Sequence, residues 1–327
     1  MPSVPYSRYL IGPVSWYSFL IMTGALIAVI LACREERRAG FPKDTVIDLA
    51  LIVIPCGIIG ARIYYVVFSW DQFKDNLISV IRIWEGGLAI YGGIIAGLGV
   101  LLLFCRKRRL PPLGICDLIV PGLALAQSIG RWGNWFNIEA YGLSVTRPDL
   151  CFFPLALQVP ADGYNWHLAT FFYESLWDML IFVFLIFARH GLLRRRGDVF
   201  FFYVFLYAAG RLVIEELRTD SLYASDSIRI SQLLSICLCL YVFLRYCLII
   251  RKTSGGIRPV SYLFVFTSLF FSVFALMYAF GFYFSFLHFS AGNILFLLFY
   301  AFLMIINLFF LYFSHNSREV QNAGNEI

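Results

Sequence analysis

Apolar runs of about 20 residues recur along the whole chain, and each is long enough to cross a hydrocarbon layer of about 30 Å as a helix. They cover residues 14–33, 46–68, 87–105, 113–133, 168–188, 199–217, 231–250, 261–284 and 292–313. With 60% hydrophobic and only 14% charged residues, the chain is too apolar for a soluble domain. Because the runs lack the two-residue alternation of barrel strands, they predict an all-α polytopic membrane protein.

Basic residues follow every second run, which predicts the topology. They are Arg34, Arg37, Arg38 and Lys43 after the first run, Arg106 to Arg109 after the third, Arg189 and Arg194 to Arg196 after the fifth, and Arg251, Lys252 and Arg258 after the seventh. Basic loops face the cytoplasm, so the N-terminus is expected outside and the C-terminus inside. The first run has its basic flank after it, unlike a cleaved signal peptide. This asymmetry explains the net charge of +6 without a nucleic-acid partner.

The cysteines and histidines do not indicate a metal centre. Seven of the eight cysteines lie in or beside apolar runs, where they behave as small hydrophobic residues. Neither the cysteines nor the four histidines show spacings typical of zinc or iron sites. We therefore expect no metal and no cofactor.

Polar groups interrupt a few of the runs, and each such group is a candidate for function, with a structural ion pair as the alternative. They are Arg62 in IIGARIYYVVF, Arg131 and Asn134 in SIGRWGNWFN, and Arg211 and Glu215 in YAAGRLVIEELR. In the predicted topology, all of them converge at the outer-leaflet level with Tyr17 and the WEGGLAIYGG segment. A transport pathway would instead distribute polar groups across the membrane. The one-sided cluster favours a reaction at the outer surface.

Two local patterns add detail. Tyr207, Arg211 and Glu215 are spaced four residues apart, which predicts one polar helix face, with a packing salt bridge between Arg211 and Glu215 as the alternative. The glycine pair at 92–93 permits the backbone to approach either a ligand or another helix closely.

Six segments, in order, resemble the bacterial prolipoprotein diacylglyceryl transferase family. They are GPVSWYSFLIMTG, PCGIIGARIYYVVF, IWEGGLAIYGGIIAG, GRWGNWFNIEAYG, TFFYES and YAAGRLVIEELRTD. The resemblance covers roughly residues 10–250, and GRWGNWFNIEAYG corresponds to the family signature. It implies a seven-helix transferase core over residues 1–250 in a bacterial cytoplasmic (inner) membrane.

The resemblance also implies the reaction and its site. Phosphatidylglycerol donates its diacylglyceryl group to the lipobox cysteine of a prolipoprotein signal peptide, giving a thioether and glycerol phosphate at the outer leaflet. Catalytic candidates are Arg131, Arg211, Glu215, Glu139 and Tyr91; substrate-binding candidates are Tyr17, Arg62, Gly92, Gly93, Asn134, Asn137, Gly142 and Tyr207. Arg131 and Arg211 suit the phosphate. Glu139, Glu215 or Tyr91 could receive or relay the thiol proton.

The chain departs from the family pattern at two places. Many relatives carry His where this chain has Tyr91, and a free phenol is a poor base at neutral pH. Either the base lies elsewhere, the arginines alone activate the thiol, or the site is impaired and the protein only binds lipids or lipoproteins. Residues 251–327 add two C-terminal transmembrane helices and a cytoplasmic tail, for which packing or partner binding is expected. The outer loop 138–167 is long enough for a small cap or a plain connector.

The charge pattern generates a topology prediction. Glycosylation or thiol-labelling tags should report loops 69–84, 138–167 and 218–230 outside, and the C-terminus inside. An external C-terminus would show that one of the last two runs does not cross the membrane.

Overall fold

The fold is almost entirely helical. The computed structural model describes residues 7–12, 14–193, 195–221, 223–225, 228–253, 259–279 and 290–325. Its α-helices are α1 (Trp16–Arg38), α2 (Thr45–Phe68), α3 (Ile90–Arg108), α4 (Pro112–Asn137), α5 (Thr170–Ala188), α6 (Asp198–Leu217), α7 (Ile230–Thr253), α8 (Pro259–Ala279) and α9 (Ser290–Asn325). Three antiparallel strand pairs join β1 (Tyr9–Ile11) to β2 (Val14–Ser15), β3 (Ala156–Val159) to β4 (Asn165–Leu168) and β5 (Tyr223–Ser225) to β6 (Ile228–Arg229).

Each apolar run identified in the sequence corresponds to one helix, which confirms the helical polytopic class. Seven of the described helices are long and apolar enough to cross a membrane: α1, α2, α3, α4, α5, α7 and the Ile294–Phe313 part of α9. Helix α6 is not among them, and four of its residues, Asp198, Arg211, Glu215 and Glu216, are charged. In α8 the corresponding apolar stretch is Val265–Ala275. The count of nine spans and their orientation stay predictions.

The chain divides into two compact units. The first unit is Met1–Gly24, Ala124–Leu193 and Phe200–Ile327, and the second is Ala25–Leu123 and Arg194–Val199. Helices α8 and α9 belong to the first unit. A domain boundary at residue 250, where the sequence resemblance ends, stays a prediction.

Helix α9 packs against helices of the first unit. Phe309 places its ring 5.5 Å from Phe184 of α5 and 5.4 Å from Phe202 of α6. The Tyr312 hydroxyl donates to the Leu192 carbonyl at 2.9 Å. The C-terminal extension therefore contributes to packing, one of the two roles expected for it.

In the second unit, glycines bring α2 and α3 into close contact. A Cβ at Gly60 would lie 2.8 Å from the Gly92 carbonyl, and one at Gly92 would lie 3.0 Å from the Ala61 Cα. A Cβ at Gly93 would lie 3.4 Å from the Gly57 carbonyl. The close neighbour of Gly92 and Gly93 is therefore helix α2, and their assignment as substrate-binding residues stays a prediction.

Arg62, another substrate-binding candidate, instead organises the loop before α3. Its guanidinium donates to five backbone carbonyls at 2.6–3.4 Å, those of Ser79, Val80, Arg82, Gly86 and Gly87. It is also 5.1 Å from the Phe73 ring centroid. A guanidinium has five N–H groups, so this set of carbonyls occupies all of them. We therefore infer that Arg62 positions this loop, and its assignment to substrate binding stays a prediction.

The loop-positioning role predicts that Arg62→Lys loosens the loop. An ammonium offers three N–H donors and no planar fork, so some of the five carbonyls lose their partner, at about 1–3 kcal/mol for each one left buried. Purified Arg62→Lys should melt several degrees below wild type and be cleaved faster by protease within residues 69–89. Arg106→Lys, at an exposed position of α3 in the same unit, is the matched control. Equal melting and cleavage of the two variants would contradict the role.

Candidate active site

One buried carboxylate in the first unit is surrounded by three arginines. Glu174 of α5 is 4% exposed. Its Oε2 lies 2.7 Å from Arg131 Nη1, while its Oε1 pairs with Arg211 Nη1 and lies 3.1 Å from Arg218 Nη1. The arginines belong to α4, to α6 and to the segment just after α6. Glu174 therefore joins three parts of the chain through charge-assisted contacts.

Two of the arginines have a second carboxylate. Arg211 Nη2 lies 2.6 Å from Oε2 of Glu215, four residues later on α6, and Glu215 has no exposed surface. This is the ion pair offered as the packing alternative, and it coexists with the contact to Glu174. Arg218 makes a bidentate contact with Asp220, in which Nε donates to Oδ1 at 3.0 Å and Nη2 donates to Oδ2 at 2.7 Å. Arg131 is anchored differently, because its one ion pair among the described residues is with Glu174.

A small cavity adjoins this cluster. It is lined by Arg131, Glu174, Trp177, Asp178, Tyr207, Arg211 and Ile214. The side chains of Arg131 and Arg211 keep 23% and 20% of their surface exposed, and Glu174 holds both guanidiniums in place. Two guanidiniums at one cavity suit the oxygens of a phosphate. Of the predicted polar face of α6, which consists of Tyr207, Arg211 and Glu215, the first two residues line this cavity.

Three further residues of the cluster and cavity, Glu174, Asp178 and Arg218, were not predicted from the sequence. Glu174 and Asp178 are four residues apart on α5 and both line the cavity. They lie inside the run 168–188, and Glu174 is part of the quoted segment TFFYES. The signal was available, because the rule that selected Arg62 and Arg211 applies equally to acidic residues within a span.

The signature segment closes α4 and connects it to its neighbours. Tyr17 of α1 packs on Gly133, where a Cβ would lie 3.1 Å from the Tyr17 Cα. The backbone N–H of Glu139 donates to the backbone carbonyl of the buried Asn134 at 3.0 Å. Asn137 donates from Nδ2 to Glu139 Oε1 at 3.1 Å. Glu139 is exposed, so its carboxylate can be reached from outside the protein.

The loop 138–167, called the cap below, contains paired strands in the first unit, and the choice between a cap over the site and a plain connector stays a prediction. Strands β3 and β4 form a hairpin whose buried residues pack with Phe171, Trp132 and Trp135. His167 Nε2 lies 2.8 Å from Asp162 Oδ2, and this hydrogen bond lowers the pKa of Asp162. Gly142 bridges to Arg218 and has no room for a side chain, since a Cβ there would lie 2.6 Å from the Leu217 carbonyl. The bridge between Gly142 and Arg218 therefore places the cap next to the arginine cluster.

The remaining candidate, Tyr91, belongs to the second unit. It is the second residue of α3 and is half-buried. Within the part of the chain that the structure describes, no three His, Cys, Asp or Glu side chains are grouped so that they could hold a metal ion.

Comparisons with known proteins are consistent with this geometry. The family described as prolipoprotein diacylglyceryl transferase matches residues 8–248. The chain is 45% identical over 235 residues to the phosphatidylglycerol–prolipoprotein diacylglyceryl transferase of Lactobacillus gasseri, covering 70% of this chain and 84% of that protein. The enzyme of the same name from Streptococcus mutans is 45% identical, with coverages of 70% and 88%, and that from Limosilactobacillus reuteri is 46% identical, with coverages of 69% and 84%. The matched residues include every candidate named above.

Proposed function

The chain belongs to the prolipoprotein diacylglyceryl transferase family, and we propose that it transfers the diacylglyceryl group of phosphatidylglycerol to the lipobox cysteine of prolipoproteins. The reaction forms a thioether and releases glycerol phosphate at the outer leaflet of the bacterial cytoplasmic membrane. The observation that carries the proposal is the pair of guanidiniums, Arg131 and Arg211, that face one cavity and share Glu174.

The donor lipid is held by its phosphate. When the bond between the diacylglyceryl carbon and the phosphate oxygen breaks, negative charge grows on that oxygen. Arg131 and Arg211 are already oriented by Glu174, so they stabilise this charge without rearranging. Phosphatidylglycerol carries a phosphodiester that fits this pair, and its acyl chains stay in the surrounding lipid.

The acceptor is the cysteine thiol of the signal peptide. Its sulfur attacks the diacylglyceryl carbon, and its proton passes to a base. Glu215 has no exposed surface and its Oε2 pairs with Arg211, whereas Glu139 is exposed and hydrogen-bonded by Asn137. Of the acceptors proposed from the sequence, Glu139 is therefore the carboxylate that an incoming peptide reaches most directly. The cap beside Arg218 is the surface we assign to the peptide.

The test is a transfer assay with purified protein, phosphatidylglycerol and a lipobox peptide. The peptide should gain the mass of a diacylglyceryl group on its cysteine, and a peptide with serine at that position should not. An unmodified cysteine peptide, under conditions in which a relative is active, would favour the alternative of a protein that only binds lipids or lipoproteins.

Arg131→Lys should lower the transfer rate by at least about 10²-fold while leaving the protein inserted in the membrane. A lysine is a point charge and does not reproduce the two parallel N–H contacts of arginine with a phosphate. Arg106→Lys, at an exposed position of α3, is the control and should keep its activity. Wild-type rates in Arg131→Lys would remove this residue from the phosphate site.

Tyr91→Phe should be much milder than Arg211→Ala. If the Tyr91 phenol took the thiol proton, its loss would cost about 10²–10⁴-fold, as is typical of general acid or base catalysis. We expect a loss of less than about tenfold, because Tyr91 begins a helix where a phenol can anchor at the interface. Arg211→Ala removes a positive charge beside the leaving phosphate and should lower the transfer rate by more than about 10²-fold. Transfer rates of the two variants, measured at matched expression, show which change is more damaging. A larger loss in Tyr91→Phe would give the phenol a direct catalytic role.

A further inference from the structure

Asp178 is the one carboxyl of the cavity lining that no arginine neutralises by direct contact. It lies on α5 one turn after Glu174 and faces the cavity with Arg131, Tyr207 and Arg211. It is 2% exposed, and its Oδ2 has no hydrogen-bond donor among the residues that the structure describes. Buried polar atoms are nearly always paired, because leaving one unpaired is costly. An acceptor in this position therefore indicates a donor that comes with the ligand.

The polar groups that line the cavity limit that ligand. Arg131 and Arg211 supply N–H donors, which suit phosphate oxygens, whereas Asp178 requires a hydrogen-bond donor. The ligand must therefore combine an anionic phosphate with a hydroxyl close to it.

We propose that Asp178 accepts a hydrogen bond from a hydroxyl of the headgroup glycerol and thereby selects phosphatidylglycerol as the donor lipid. This rests on the proposed function and adds a specificity-determining residue to it. A headgroup without hydroxyls leaves Oδ2 unpaired, and a cationic headgroup is placed beside two guanidiniums. Both mismatches disfavour the wrong lipid.

Phosphatidylpropanol is the probe that isolates this contact. It has the same phosphodiester and a three-carbon headgroup, but no hydroxyl. In transfer from this lipid the same carbon–oxygen bond breaks, the same carbon–sulfur bond forms, the thiol proton goes to the same acceptor, and propyl phosphate leaves. Any difference in kcat/KM between the two lipids therefore reports recognition of the hydroxyls.

The wild-type protein should show a roughly 10- to 100-fold lower kcat/KM with phosphatidylpropanol, the range expected for one hydrogen bond to a charged group. Asp178→Leu should lose a similar factor with phosphatidylglycerol and little more with phosphatidylpropanol, because the two changes remove the same contact. Asp178→Asn keeps a carbonyl acceptor and should retain part of the preference. Asp71→Asn, at an exposed site, should keep the wild-type ratio.

Two results overturn the proposal: equal use of both lipids by wild type, or an Asp178→Leu defect of the same size with both. The first needs no variant, so it decides even if Asp178→Leu fails to insert. Thermal stabilisation of wild type and Asp178→Asn by each lipid measures the same preference as binding, without transfer. A protein that is stabilised more by phosphatidylglycerol yet transfers nothing would refute the proposed function and support the role of Asp178.

Discussion

The ion pairs of Glu174 are the interaction on which the candidate site depends. Three guanidiniums close together repel one another, and a buried carboxylate without partners is costly, so each is stable only in the presence of the other. Glu174 contacts Arg131, Arg211 and Arg218, which come from different segments. The same contacts therefore position α4, α5 and the end of α6, and they fix the groups that we assign to the phosphate.

The arginines are not equivalent in this arrangement. Arg211 is held by Glu174 and Glu215, and Arg218 by Glu174 and Asp220, whereas Arg131 has its ion pair with Glu174. A guanidinium held by two carboxylates is more rigid but has fewer N–H groups left for a substrate. We infer that Arg131 supplies more of the direct phosphate contact, while Arg211 supplies a fixed positive charge. Both lie beside the buried Glu174, where charges interact more strongly than in solution.

The sequence predicted the helices well, because apolar runs of membrane-spanning length leave the backbone few alternatives. It also predicted that Arg131, Tyr207 and Arg211 belong together, because charged groups in spans are conspicuous. The role of Arg62 could not be predicted, since its partners are backbone carbonyls 17 to 25 residues away, which have no side-chain signature. Gly92 likewise required the structure, since only the position of α2 decides between a helix and a ligand as the close neighbour.

Helix α9 shows how residues outside the family match support the same site. The match ends at residue 248, yet Phe309 of α9 makes edge-to-face contacts with Phe184 of α5 and with Phe202 of α6. These two helices carry Glu174 and Arg211, whose contact requires α5 and α6 to keep a fixed spacing and rotation. Because Phe202 lies nine residues before Arg211 on α6, the aromatic contact is two to three turns away from the charges. It therefore acts on the relative position of the helices and not on the chemistry, and this apolar contact stabilises the helix arrangement that the polar site requires.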